Sequence, residues 1–309
     1  MGFREKYVKF YDKHYKKLLV ATSIFFAVFA AIIIINYATT GEPFERGVSL
    51  KGGSIITVQI NGTIDINGIQ ASLQNLTSEE LNVKEFSAAT GEPLGFIVET
   101  ALQNVTPIIE KINQDYAVKT ENIETVGPTL GQSFFRQMIY AIIAAFILMA
   151  VVVFISFRDI LPSSYIILSA VVDIIFPFAM VILLHVKVSS AGIAAFLMLI
   201  GYSIDTDILL TTRVLKAKEG TSSEKTYNAM STGIIMTIAA MAATGIAYIT
   251  TPSEVLKQIT MILFFGLVAD IPSTWFQNAG LLKMHVDKMK RKAEEESEKQ
   301  EEEEDEENG

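Results

Sequence analysis

The stretch "MIYAIIAAFILMAVVVFIS" (138–156) is apolar over nearly its whole length and contains no charged residue. A helix needs about 20 residues to cross roughly 30 Å of hydrocarbon, because each residue adds about 1.5 Å. The stretch therefore predicts a helix that spans a membrane.

Other apolar runs of similar length accompany it, and 50% of the 309 residues are hydrophobic. The first run is too long for a signal peptide and no small-residue cleavage site follows it, so we expect it to remain as an anchor. The sequence thus predicts an α-helical polytopic membrane protein with six spans, at 18–38, 134–156, 161–184, 189–211, 230–250 and 256–281.

Lys and Arg cluster in the loops on one side of the predicted spans. Residues 1–17, the 211–230 loop and the segment after the last span are basic, whereas "HVKVSS" (185–190) and "TTPSEVLKQ" (250–258) carry one Lys each. Short loops rich in Lys and Arg stay in the cytoplasm. We therefore predict a multi-pass protein of the cell membrane with cytoplasmic termini and with residues 41–130 outside.

The acidity of the chain belongs to its C-terminal tail. The whole chain has a net charge of -9, from 25 basic and 34 acidic residues. Residues 294–309 contain 11 of the acidic residues and 1 Lys, which leaves 24 basic and 23 acidic residues elsewhere. A run without apolar residues cannot bury a core, so we predict that 283–309 is a basic, then acidic, disordered cytoplasmic tail. Its simplest role is that of a solvating tail.

Residue types that carry much enzyme and metal chemistry are scarce. The chain has no Cys, which excludes disulfides and thiol catalysis, and its 3 His are not paired at ligand spacing. We predict no catalytic, cofactor or metal site, no enzymatic activity and no nucleic-acid partner.

Residues 41–130 have the composition of a small soluble domain. The pattern predicts strands and helices in the order strand, helix, strand, strand, helix, strand, with Asp65 as a helix N-cap. This order is that of a ferredoxin-like α+β domain. The predicted elements are 53–60, 65–76, 83–89, 94–100, 104–116 and 121–127, with a turn at 90–93.

Three Asn-x-Thr sequons fall in this domain, at Asn61, Asn75 and Asn104. Their placement fits an exported surface that could be glycosylated. Chance matches to so short a motif are common.

Three stretches resemble segments of the SecD/SecF family, the accessory membrane subunits of the protein-export machinery. They are "FERGVSLKGGSIITVQI" (44–60), "VGPTLGQSF" (126–134) and "GYSIDTDILLTTRVLK" (201–216). In this order, with six predicted spans, they indicate the SecF branch in its archaeal form over about residues 18–282. The resemblance implies half of a resistance-nodulation-division (RND) type unit: transmembrane helix 1 at 18–38, one external domain, and helices 2–6 within 134–282.

The resemblance also implies partners, and the chain departs from the family pattern in several places. A SecD-like subunit, the Sec translocon, a translocating polypeptide and membrane lipid are the implied partners. Ser49 replaces the usual Asp of the first motif, and Thr206 stands where bacterial SecF subunits have the acid that SecD subunits place at Asp205. The fifth span offers Ser231 and Thr232 where bacterial SecF has Arg.

Two of these motifs can also be interpreted from the backbone conformations that their Gly and Pro residues favour. In "LKGGS" (50–54) the glycines favour a tight turn into a strand, or a close approach to another segment at that point. In "VGPTLGQ" (126–132) Pro128 and Gly131 predict the joint at which the domain ends and the second span begins.

Four carboxylates lie within the predicted spans: Asp173, Asp205, Asp207 and Asp270. A charged carboxylate in lipid costs about 2.5–3.5 kcal/mol on insertion scales, so such acids face the bundle interior or water. Two residues of helix separate Asp205 from Asp207 by about 200°, so the pair cannot share a face. We predict that Asp205, one turn from Gly201, faces the interior and that Asp207 reaches interfacial water or Arg213.

The four acids have no Lys or Arg deep in any span to pair with them. Burial without a counter-ion favours the neutral carboxyl, which is the property that a proton carrier needs. The alternative is that each acid is permanently protonated and acts as interhelical hydrogen-bond glue, to Tyr202, Ser203 or Thr206 for Asp205. Asp205, Asp173, Asp270 and Asp207 are the candidate proton-relay or polar site.

The sequence leaves competing functions of unequal strength. The first is an export-complex subunit paired with a SecD-like partner, and the second is a half-size RND-type transporter of lipids or small molecules. Against the second, RND exporters of that kind have larger external domains and both halves in one chain. A third function, that of an intramembrane aspartyl protease using Asp173 and Asp205, is disfavoured, because the motifs of such proteases do not occur around these acids.

Overall fold

The computed structural model describes residues 3–60, 64–79, 81–87, 92–216 and 220–308. The helices are α1 (Phe3–Thr40), α2 (Val48–Lys51), α3 (Ile66–Gln74), α4 (Thr106–Asp115), α5 (Pro128–Phe157), α6 (Ile160–Leu183), α7 (Ser190–Lys216), α8 (Ser222–Thr250), α9 (Glu254–Pro272) and α10 (Ala279–Asn308), with a π-helical turn (Ser273–Asn278) between the last two. The strands are β1 (Gly53–Ile60), β2 (Leu81–Ser87), β3 (Pro93–Thr100) and β4 (Val118–Val126).

Six helices are long and apolar enough to cross a membrane, which confirms the predicted polytopic fold. They are α1, α5, α6, α7, α8 and the continuous α9–π–α10 segment. In α6 and α7, 50% of the most apolar stretch is buried, against 6% in α1 and 11% in α5 and α8. Helices α6 and α7 therefore lie at the centre of the bundle, and α9 packs against both.

The small domain within residues 41–130 has the predicted ferredoxin-like topology. Its sheet has the order β2-β3-β1-β4, and each strand is antiparallel to its neighbours. Alternate residues of β1, including Ile56 and Val58, are fully buried in a core with Ile69 of α3 and Ile108 of α4. Asp65 is the predicted N-cap, since its carboxylate accepts from the Gly68 N–H at 3.1 Å.

Of the three sequons, Asn75 and Asn104 are exposed on this domain, as a glycan requires. Asn61 lies outside the described residues, as do residues 90 and 91 of the predicted 90–93 turn.

The glycines of "LKGGS" hold the start of the domain against the start of α5. Gly52 and Gly53 have φ of +94° and +132°, and a Cβ on Gly52 would lie 2.6 Å from the Pro128 Cα. Gly131 approaches from the other side, where its Cβ would lie 2.8 Å from the Gly52 nitrogen. The two motifs thus form one closely packed joint, in which the glycines allow both the turn and the close approach to another segment.

A second connection joins the base of the domain to the α6–α7 loop. The Gly47 N–H donates to the Val188 carbonyl at 2.8 Å, and the Val188 N–H donates to the Glu45 carbonyl at 2.8 Å. Ser49 accepts from the Ser190 N–H at 2.9 Å, at the first residue of α7. The serine that replaces the family's Asp is therefore bonded to the start of the central helix.

The C-terminal tail differs from the prediction of disorder. The chain is helical from Ala279 to Asn308 as α10. Glu and Lys are strong helix formers, and a helix that extends an existing span needs no new nucleus. Residues 291–300 are exposed, which agrees with the lack of apolar side chains.

Gly53→Ala is expected to destabilise the protein by about 2 kcal/mol, because a side chain at this backbone conformation is strained. Its Cβ would also lie 2.2 Å from the Thr100 carbonyl oxygen. Thermal unfolding of the purified protein in detergent measures the effect. Gly127→Ala is the matched control, since Gly127 has φ of -66° and a Cβ at this position would have no atom within 4 Å. Equal midpoints for the two variants would show that the joint tolerates a side chain.

Candidate intramembrane polar site

Three fully buried carboxylates lie among the central helices of the bundle. Asp173 belongs to α6, Asp207 to α7 and Asp270 to α9, and each is 0% exposed. The site is assembled where these three helices and the π-helical turn pack together, with Thr237 of α8 at its side.

Asp173 is held by two serine hydroxyls from neighbouring elements. Ser203 of α7 donates to its Oδ2 and Ser273 of the π-helical turn donates to its Oδ1. Four residues later Pro177 interrupts the ladder of α6, because proline has no N–H for the Asp173 carbonyl. Asp173 thus links three elements at a weak point of its own helix.

Asp270 accepts hydrogen bonds from three threonines. The Thr206 hydroxyl lies 2.7 Å and the Thr274 hydroxyl 3.1 Å from Oδ1, while the Thr237 hydroxyl lies 3.0 Å from Oδ2. After rotation, each threonine hydroxyl can also accept a hydrogen bond from the O–H of a neutral Asp270 carboxyl. The same shell can therefore serve the ionised and the neutral carboxyl.

Asp207 is bonded to an amide. The Asn278 Nδ2 donates to Asp207 Oδ1 at 2.7 Å, from the last residue of the π-helical turn. This turn follows Pro272, which has no backbone N–H to continue the helical hydrogen bonding. Single π-turns inside α-helices are frequent at functional sites.

The three carboxylates have no basic partner within the part of the chain that the structure describes. None of the ion pairs found there includes Asp173, Asp207 or Asp270. Ionised carboxylates buried together repel one another and lose their hydration, so all three cannot be charged at once.

The prediction for the α7 acids was wrong in its choice of face. Asp205 is exposed and Asp207 is buried, so the interior acid is Asp207. Gly201 is exposed as well, and no atom lies within 4 Å of a Cβ built on it, so its small size does not mark a helix contact. Arg213 donates instead to the Asn228 carbonyl, and Asp207 does not reach it.

The sequence reasoning found all three buried acids but missed most of their partners. Ser203 and Thr206, considered as partners of Asp205, bond Asp173 and Asp270, and Tyr202 donates to the Met236 carbonyl at 3.2 Å. The missed residues are Thr237, Ser273, Thr274 and Asn278. A polar residue at every turn after Asp270 was the available signal.

Comparison with known families identifies relatives of this chain. A family model described as "Protein export membrane protein SecD/SecF, C-terminal" matches residues 105–288. "Protein-export membrane protein SecF" of Pyrococcus furiosus is 36% identical over 277 residues, covering 90% of this chain and 93% of the relative. The protein of the same name from Methanocaldococcus jannaschii is 35% identical, covering 86% and 96%.

A solved structure shares the fold. SecDF from Thermus thermophilus, described as a translocon-associated membrane protein, aligns with a TM-score of 0.70 at 18% identity. The alignment covers 89% of this chain and 38% of that one, so the chain matches a part of the larger molecule. At this identity the match bears on the fold alone.

Proposed function

Because the chain belongs to the SecD/SecF family of protein-export membrane proteins, we propose that it pairs with a SecD-like subunit and promotes the movement of polypeptide through the Sec translocon. Proton uptake and release at Asp173, Asp207 and Asp270 drive the conformational change. The observation that carries this proposal is the burial of three carboxylates without a basic partner among the described residues.

The arrangement of the site supports coupling of protonation to helix packing. The carboxylates lie on α6, α7 and α9 and accept hydrogen bonds from α7, α8 and the π-helical turn. Helices α6 and α9 each contain a proline. A change of charge at Asp270 alters its attraction to Thr206 of α7 and Thr237 of α8 at once. Protonation therefore acts on the relative positions of the central helices.

An exposed stripe on α7 supports pairing within the membrane. Ala194, Met198, Gly201 and Asp205 are exposed and recur every three or four residues, and we call them the outer stripe. Asp205 lies about 22 Å along α7 from its first residue, inside the apolar part of the helix. A carboxylate facing lipid is costly, whereas a partner helix can supply a hydrogen bond or a cation. The outer stripe is therefore the proposed contact for the SecD-like subunit.

Deletion and co-purification test the function. We expect loss of the protein to cause export precursors to accumulate, and we expect the tagged protein to isolate a SecD-like subunit from native membranes. The rival function, transport of lipids or small molecules by a lone half-size unit, predicts normal precursor processing and no such partner.

The proposed orientation in the cell membrane has cytoplasmic termini and an external domain. Because the chain has no Cys, single cysteines report cleanly on it. Thr120→Cys, on an exposed strand of the domain, is expected to react with an impermeant thiol reagent added outside intact cells. Lys292→Cys, exposed on α10, is expected to react only after lysis. Labelling in the reverse pattern would overturn the orientation.

A further inference from the structure

A groove on the outside of the bundle runs between α5 and α6 and has a volume of about 460 Å³. Ser163 is 3% exposed at its floor, whereas Phe154 and Ile160 at its rim are 48% and 72% exposed. The other lining residues are Ile147, Ala150, Val151, Ile155, Ser164 and Ile167. The two serine hydroxyls donate to backbone carbonyls of the first turn of α6. The surface that the groove presents is therefore almost entirely apolar.

The length of the groove matches one leaflet of a membrane. Ile147 and Ile155 are eight residues apart on α5, which corresponds to about 12 Å along the helix. Helices α5 and α6 are both long and apolar enough to cross a membrane, and only Arg158 and Asp159 connect them, so this connection lies at the membrane surface. The groove starts there and extends into hydrocarbon with a half-thickness of about 15 Å. Its length and composition suit one hydrocarbon chain.

Two cations lie at the surface end of the groove. Arg158 belongs to the connection itself and is exposed, and Lys216 of α7 places its Nζ 5.6 Å from the ring centroid of Phe157. Neither cation forms an ion pair with another described residue. The neighbouring Asp159 is directed elsewhere, since its Oδ1 accepts from the backbone of α6 at 3.0 Å and its Oδ2 lies 3.5 Å from His285 Nε2. This end of the groove therefore attracts anions.

Arg158 ends α5 in a backbone conformation that favours glycine. Its φ is +54°, and its N–H donates to the Phe154 carbonyl at 2.8 Å, as in the left-handed cap that closes many helices. Glycine adopts this conformation without strain, whereas a residue with a Cβ does not. Strained backbone conformations cluster at ligand sites. The guanidinium is thus held beside the groove at the expense of stability, which indicates that it has a ligand.

We propose that this groove binds one anionic phospholipid, with a hydrocarbon chain along the groove and the phosphate on Arg158 and Lys216. Arginine presents a planar fork of N–H donors that matches phosphate oxygens, and the lysine ammonium adds a point charge. Basic side chains between transmembrane helices at the membrane surface recognise anionic headgroups in this way. The inference concerns lipid binding by the isolated chain and does not rest on its proposed role in export.

Native mass spectrometry of the purified full-length chain in detergent tests the site, with phosphatidylglycerol and phosphatidylcholine of identical chains as probes. The wild-type chain is expected to bind one phosphatidylglycerol about tenfold more tightly than phosphatidylcholine. Arg158→Gly is expected to lose this preference while it unfolds at the same temperature or a higher one, because glycine relieves the backbone strain. Lys292→Gln, which removes an exposed cation from α10, is the matched control and keeps the preference.

A second variant tests the groove itself. Ser164→Phe fills the groove and is expected to abolish binding of the single phosphatidylglycerol. Ser156→Phe, at an exposed position of α5 outside the lining, is expected to leave it unchanged. Glycerol 3-phosphate, which has the anionic phosphate but no hydrocarbon chains, is expected not to compete with the lipid.

Four results would contradict the proposal. Equal affinities of the wild-type chain for the two lipids would show only the unspecific lipid contact of any spanning helix. A preference that survives in Arg158→Gly would place the headgroup elsewhere, and tight binding that survives in Ser164→Phe would place the hydrocarbon chain elsewhere. Competition by glycerol 3-phosphate would show a site for free phosphate instead of a lipid.

Discussion

Asp270→Asn is expected to slow export by about tenfold or more while the protein stays folded, inserted in the membrane and bound to its SecD-like partner. The asparagine carbonyl can accept from Thr206 and Thr274 as the Asp270 Oδ1 does now. Its amide nitrogen replaces Oδ2 and donates to the Thr237 hydroxyl, which can also accept. The packing is thus preserved, and only the ability to gain and lose a proton is removed.

Accumulation of an export precursor in cells that carry only the variant measures this effect. The matched control is Ser156→Ala, which removes a polar group from the exposed face of α5 without touching the buried cluster or the outer stripe, and normal export is expected. Co-purification with the SecD-like partner and the unfolding midpoint establish that the Asp270→Asn protein is intact.

Asp270→Leu separates the coupling role from the structural one. Leucine leaves the hydroxyls of Thr206, Thr237 and Thr274 without their shared acceptor, so the variant is expected to be strongly destabilised. If Asp270→Asn exported normally while Asp270→Leu unfolded, the carboxyl would act only as interhelical hydrogen-bond glue. That outcome would contradict the proposal that proton uptake and release drive the conformational change, but it would not affect the proposal that the chain pairs with a SecD-like subunit.

The elements of the fold could be predicted because each rests on a local pattern. The spans follow from run length alone, and the bilayer tolerates few other structures. The ferredoxin-like domain follows from alternation and turn residues, and Asp65 caps its helix as expected. The tail was mispredicted because a lack of apolar residues was taken as disorder, although Glu and Lys favour helix wherever a span already nucleates it.

The face of α7 could not be chosen from α7 alone. Helix geometry separated Asp205 from Asp207, but which acid points inward depends on what α6 and α9 present. Ser203, Thr206 and Asp207 face inward because each is hydrogen-bonded there to a polar side chain of another element. Their partners are Asp173, Asp270 and Asn278, respectively. Gly201 was misleading, since a small residue can mark contact with a partner chain as readily as contact within the same chain.

The position of Asn278 was beyond prediction for a different reason. A π-helical turn changes the spacing of side chains from about four residues to five, and it brings Asn278 under Ser273. Pro272 lacks a backbone N–H and so disfavours a regular α-helix there, but it does not specify a π-helical turn. Packing against neighbouring helices decides whether a turn contains one extra residue, and therefore which side chains lie above one another. No local pattern in the sequence records that packing.

Asp205→Leu is expected to weaken binding of the SecD-like subunit by about tenfold or more while leaving the isolated protein as stable as before, or more stable. In the isolated chain Asp205 is exposed within the span, where the carboxylate costs about 2.5–3.5 kcal/mol and leucine costs nothing. In the complex a partner group is expected to contact the carboxylate, and leucine cannot replace that contact. The two effects therefore have opposite signs, which a simple folding defect cannot produce.

Titration of the labelled SecD-like subunit against the variant in lipid nanodiscs measures the binding, and thermal unfolding measures the stability. Ser156→Leu is the matched control, because it places leucine at an exposed polar position of α5, a helix that buries little of its apolar stretch. It should change neither quantity. Wild-type affinity for Asp205→Leu would mean that the outer stripe faces lipid, and the pairing surface would then have to be sought on the exposed small residues of α8, such as Ala239, Ala242 and Ala243.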